Sequence, residues 1–223
     1  MTLKLFISAI TKFLLGIGLV GVLIFLPAGS LSFFNGWLLL GVLFIPMFFA
    51  GIVMMFKNPE LLKSRLNAKE KRKEQSLVVK LSGLMFVAGF VVAGLGFRFN
   101  LYTLPKSVCV SAAAVFLAAY VLYAEVLREN TYLSRTIEVK ENQKVIDNGL
   151  YGIVRHPMYS VTLILFLSVP LILGSLYSFL IFLAYPFIIT KRIKDEEIFL
   201  EKELDGYVQY KQKVKYRLIP FIW

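Results

Sequence analysis

Six apolar stretches punctuate the chain, at about residues 5–26, 32–56, 77–97, 104–127, 158–173 and 176–190. Each of the first four meets the length of about 20 apolar residues that a helix needs to cross a bilayer's hydrocarbon core. The last two are shorter and are joined by "GSLYS", which predicts a tight helical hairpin. Pro170 and Pro186 predict kinks in that hairpin, because proline removes a helix hydrogen bond. The short alternating segments of a membrane β-barrel are absent. The pattern therefore predicts an all-α integral membrane protein with about six transmembrane helices. The first stretch is interrupted by Lys12 and ends in "LPAGS" without a small-x-small cleavage pattern, so it reads as a retained first span rather than a signal peptide.

Polar segments separate these stretches. Residues 58–75 open with Asn58 in an N-cap position and Pro59 at the first helical position, which predicts a short surface helix. In 128–157, "TIEV" and "KVI" read as extended and Asn148-Gly149 marks a turn. After residue 190, Ile193, Leu200, Leu204 and Tyr207 recur at helical spacing and predict an amphipathic helix. The chain thus divides into amino-terminal transmembrane helices, 1–127, and a carboxyl-terminal region, 128–223, in which a polar loop, the hairpin and a polar tail follow one another.

Charge gives these elements a direction. Lys and Arg number 25 against 14 acidic residues, a net charge of +11 in a chain that is 58% hydrophobic. The cations gather in three segments: 57–76 (Lys57, Lys63, Arg65, Lys69, Lys71, Arg72 and Lys73), 128–157 (Arg128, Arg135, Lys140, Lys144 and Arg155) and the tail. The opposite connections hold only Arg98 and Lys106. Lys/Arg-rich connections stay in the cytoplasm. Six spans put all three rich segments there, with both termini, as in a protein of the bacterial inner (cytoplasmic) membrane. Such charge meets anionic lipid headgroups and does not point to nucleic acid. One cysteine, Cys109, and one histidine, His156, leave no internal disulfide and no metal site. Among acidic residues only Glu125 falls inside an apolar stretch, near its end, which argues against an ion-coupled transporter.

Polar groups capable of chemistry collect in "QKVIDNGLYGIVRHPMY" (143–159) and "RIKDEEIFL" (192–200). No G-x-G-x-x-G follows a strand, and neither a P-loop nor a G-x-S-x-G elbow occurs. A hairpin returns the chain to the face it left, which places Arg155, His156 and Tyr159 near Arg192, Glu196 and Glu197. Arg192 and Glu196 stand four apart on one helix face. Plainer readings exist for each residue. His156 can cap a helix, Pro157 can start one, Arg155 can be a topology charge, and Tyr151 and Tyr159 can anchor at headgroup level. Arg192, Glu196 and Glu197 can form a solvated face, and Tyr207, Tyr210 and Tyr216 can simply pack. The two motifs occurring together, in order, across a hairpin is what these readings do not require.

That combination, "GLYGIVRHPMY", a hairpin, then "RIKDEEIFLEKELDGYVQY", resembles the isoprenylcysteine carboxyl methyltransferase family over residues 128–223. The resemblance implies S-adenosylmethionine as cofactor and a lipophilic methyl acceptor. It implies that Gln143, Lys144, Val145, Ile146 and Tyr151 line the adenosine side, that His156, Pro157 and Tyr159 continue the pocket, that Glu196 contacts the cofactor and that Arg192 is the catalytic residue facing the acceptor. Ser160 and Val161 stand where the family tends to place glycine. A carboxylate acceptor is already ionised at neutral pH and suits Arg192 through paired hydrogen bonds. Phospholipid N-methyltransferases share the layout and remain an alternative. So does a non-enzymatic lipid-binding membrane protein.

Overall fold

In chain order the helices are Leu3–Ala28 (α1), Phe34–Lys57 (α2), Pro59–Leu66 (α3), Lys73–Arg98 (α4), Lys106–Glu129 (α5), Pro157–Ile172 (α6), Leu176–Phe182 (α7), Tyr185–Glu203 (α8) and Tyr207–Lys213 (α9). This is a computed structural model that describes residues 3–66, 73–101, 103–133 and 136–223. Lys69, Lys71, Arg72 and Arg135 of the basic segments, and the continuation of the surface helix past Leu66, lie outside the described residues. Asn58 does cap α3, its Oδ1 accepting from the Leu61 amide at 3.1 Å.

The protein is an all-α integral membrane protein, and among the described residues five units are long and apolar enough to cross a bilayer: α1, α2, α4, α5 and the α7–α8 unit Leu176–Glu203. The helix α6 is the shorter one, with 16 residues. At 1.5 Å per residue it extends about 24 Å, less than a bilayer core of about 30 Å. It nevertheless runs the depth of the bundle. Gly174, just past its end, takes φ +71°, a left-handed conformation that suits glycine. The Gly174 carbonyl accepts from the Leu104 amide at 2.9 Å. Thr103 and Ser175 form an isolated antiparallel bridge. The α6–α7 turn therefore meets the α4–α5 connection, at the end of the bundle away from the polar segments.

Of the two prolines expected to kink the hairpin, Pro170 lies inside α6, whereas Pro186 stands in the first turn of α8. Pro186 cannot donate to the carbonyl four residues back, so the chain breaks between α7 and α8 instead of bending within one helix. Beyond the break, α8 runs without interruption from apolar Tyr185 to polar Glu203. The amphipathic helix expected after residue 190 is its second half. Leu204 ends α8 and Tyr207 begins α9, so those two residues do not share one helix face.

Small residues let the central helices approach. Ala112, Ala113 and Ala119 of α5 are buried, with Phe116 between them, and α6 packs on this face. Phe86 of α4 meets Phe166 of α6 and Phe182 of α7 edge-on, at ring separations of 4.8 and 5.2 Å. These contacts pack α6 against α4 and α5, and α7 against α4.

Candidate functional site

A glycine shapes the approach to the site. Gly149 takes φ +55° and opens a 3-10 turn, Gly149–Gly152. Both Glu129 carboxylate oxygens, at the end of α5, accept from the Leu150 amide, at 3.2 and 2.9 Å. A Cβ at position 149 would run into that carboxylate. Gly149→Ala is expected to lower stability by about 1–3 kcal/mol, the cost of a strained left-handed residue. A thermal melt in detergent checks this, and an unchanged midpoint would mean that the turn reshapes freely.

The turn delivers the chain to Arg155, His156 and Pro157. Pro157 occupies the first position of α6, where its missing amide costs nothing. His156 precedes it but makes no side-chain cap. Its Nε2 lies 3.3 Å from Glu197 Oε1, and its ring stacks on Tyr159 at 5.7 Å. The plainer reading of His156 as a cap is thereby replaced. The reading of Arg155 as a topology charge also fails, because Arg155 is only 6% exposed. Its Nε donates to Glu197 Oε1 at 2.7 Å, and its Nη1 donates to the carbonyls of Val214 and Lys215. Arg217 Nε donates to the other Glu197 oxygen at 2.9 Å. Glu197, 2% exposed, thus gathers two guanidiniums and the imidazole. This pairing is what makes burial of the carboxylate tolerable.

Next to this cluster runs a second chain of contacts. Arg192 Nε donates to the Tyr159 hydroxyl at 2.8 Å, and that hydroxyl donates to Glu196 Oε2 at 2.5 Å. The hairpin therefore brings Arg155, His156 and Tyr159 against Arg192, Glu196 and Glu197. Arg192 is itself buried, so the solvated-face reading does not hold for it.

These groups border a cavity that is open on one side. Gln143, Lys144, Val145, Ile146, Tyr151, His156, Tyr159, Arg192 and Glu196 all line it. Pro157 does not; it is buried at the start of α6. Gln143 lines it while its side-chain oxygen holds the Lys140 amide at 2.9 Å. The loop backbone at Lys144, Val145 and Ile146 has no hydrogen bond to any described residue, which leaves main-chain donors and acceptors at the cavity wall.

Two lining residues, Tyr207 and Tyr210, carry more than the packing role read from the sequence. The Tyr210 hydroxyl donates to the Tyr151 carbonyl at 2.7 Å and ties α9 to the turn. The Tyr207 hydroxyl is buried without a partner among the described residues. Burial, with the Glu197 and Glu196 carboxylates adding to it, pushes this hydroxyl well above its ordinary range, so it stays a neutral donor. The sequence signal for it was Asp205-Gly206, a turn dipeptide that ends one helix and starts another. Arg217 carried no such signal, being one cation in a basic tail.

No group of three or more His, Cys, Asp or Glu suited to a metal occurs among the described residues. Residues 110–202 match the model of the isoprenylcysteine carboxyl methyltransferase (ICMT) family. No curated protein matches the chain. The matched stretch contains the turn, α6 and most of α8, and stops before Tyr207 and Arg217.

Proposed function

We propose, from the match of residues 110–202 to the isoprenylcysteine carboxyl methyltransferase family model, that this protein is a membrane methyltransferase that uses S-adenosylmethionine to methylate the carboxylate of a lipophilic acceptor. The observation that carries the reading is the Arg192–Tyr159–Glu196 chain at the wall of a cavity built where α6 and α8 meet the polar segments. A water-soluble cofactor and a lipid-soluble acceptor have that zone in common.

The residues suit the cofactor. Unspent main-chain groups at 144–146 match the hydrogen-bonding edge of a purine. Glu196 supplies a negative charge for the cationic part, and Tyr207 supplies a buried donor that lacks a partner. When bound, S-adenosylmethionine supplies an electrophilic methyl group on a sulfonium. The chain's own task is alignment, worth about 7–11 kcal/mol in favourable intramolecular cases. Tyr159 holds the Arg192 guanidinium through Nε, so a carboxylate meets an oriented cation. Arg192 would hold the ionised carboxylate oxygen toward that methyl carbon, and the transfer would leave a methyl ester and S-adenosylhomocysteine. No proton moves, so the site needs no general base. Exclusion of water around the buried groups strengthens each charge contact.

Tyr207→Phe is expected to weaken S-adenosylhomocysteine binding by about 3–10-fold, the worth of one hydrogen bond of about 0.5–1.5 kcal/mol. Calorimetric titration of the purified protein reads it, with the fold intact because no protein contact of the hydroxyl is lost. The function is tested by giving labelled cofactor to membranes that contain the protein. Label released as methanol by base supports a carboxyl ester. Label retained in a headgroup amine makes the protein a lipid N-methyltransferase. Absence of both label and cofactor binding leaves a non-enzymatic lipid-binding protein.

A further inference from the structure

Residues 214–223 form a strap across the start of α6. The Tyr216 and Arg217 carbonyls accept from the Arg155 and His156 amides, each at 2.9 Å. Ser160 Oγ donates to the Leu218 carbonyl at 2.6 Å. The far end is a tight turn in which the Trp223 carbonyl accepts from the amides of Arg217, Leu218 and Ile219. Phe221, at φ +66°, sits in this turn.

The turn sorts its side chains. Leu218 is buried in the main core, whereas Phe221 is 87% and Ile222 76% exposed, with Ile219 beside them. Their depth follows from the tether. Ser160 belongs to the first turn of α6, and Ile164, one turn deeper, is an exposed apolar residue of that helix. The outward-facing residues of the strap therefore stand at the edge of the apolar band. The aromatic and basic groups fit an interface. Tyr216 lies against Phe221 at 5.3 Å, the Arg217 guanidinium covers the Trp223 ring at 5.2 Å, and Lys215 is exposed.

We infer that the strap is seated in the bilayer. Ile219, Phe221 and Ile222 enter the acyl boundary of the leaflet and Lys215 meets an anionic headgroup. Because the same strap holds Arg155, His156 and Glu197, the lipid contact orders the site. The lipid contact does not depend on which cofactor the cavity takes. The link to catalysis rests on the function proposed above.

Trp37→Phe leaves Trp223 as the sole tryptophan of a chain that has two. This variant is placed in vesicles of phosphatidylcholine and phosphatidylglycerol. Lipids brominated near the headgroup are expected to quench Trp223 more than lipids brominated at the chain ends. Efficient quenching by aqueous iodide with none by brominated lipid overturns the seat. The coupling is read by hydrogen exchange at Arg155 and His156. A Phe221→Asn, Ile222→Ser double variant keeps a residue that tolerates the left-handed turn and removes the apolar pair. Exchange at both amides is expected to rise severalfold in vesicles, and unchanged exchange overturns the coupling. Failure of the cofactor reading would instead show as absent S-adenosylhomocysteine binding, with quenching and exchange as expected here.

Discussion

Glu197→Ala is expected to lower the stability of the folded protein by about 3–5 kcal/mol, the cost of removing one partner from a buried ion pair. Glu197 is the shared acceptor of Arg155, His156 and Arg217. Two of those three are themselves buried. Truncating the carboxylate leaves Arg155 as an uncompensated buried cation. The damage extends beyond the pair. Arg155 also grips the Val214 and Lys215 carbonyls, and its amide holds the strap. Loss of the carboxylate thus loosens the α6 turn, α8 and the strap together. Glu197→Gln keeps the volume and one acceptor oxygen, so it is expected to cost less than the alanine. Thermal unfolding in detergent measures both. An alanine variant within about 0.5 kcal/mol of the parent, as for an ordinary surface position, would show that the cluster adds nothing to stability.

How far the sequence revealed this arrangement depended on how local the cause was. The spans were legible because apolar length is a local property, and α1, α2, α4 and α5 fall within a few residues of their expected limits. The meeting of Arg155–Tyr159 with Arg192–Glu197 was legible because a hairpin has one geometric outcome. Arg217 and the strap were not. Their link to Arg155 and His156 runs through main-chain carbonyls, which any sequence supplies. The sixth apolar stretch was less legible for another reason. Hydropathy treats 158–173 as a short helix, and nothing in its residues announces that Leu104 and Thr103 come in to meet its far end. Likewise Arg155 reads as one more loop cation until its buried carboxylate partner, 42 residues away, is placed against it.

Under the proposed function, Arg192→Lys is expected to reduce methyl transfer at saturating cofactor by about 100-fold, the order of loss that follows from misplacing a reacting group. The substitution keeps a positive charge and most of the side-chain length. It removes the planar fork that holds a carboxylate by two parallel bonds, and it removes the Nε that Tyr159 orients. Affinity for S-adenosylhomocysteine is expected to change by less than about 10-fold, or 1.4 kcal/mol, because Glu196, Tyr207 and the 144–146 backbone stay in place. Tyr159→Phe separates the two ways in which Arg192 can act. If the guanidinium meets the acceptor itself, removing the hydroxyl bridge merely loosens it, and the phenylalanine variant loses far less activity than the lysine. If Arg192 serves only to position Glu196 through Tyr159, the two variants lose activity equally and both weaken cofactor binding. Base-labile label formed per unit time, set beside calorimetric affinity for the two proteins, decides between a catalytic and a positioning arginine.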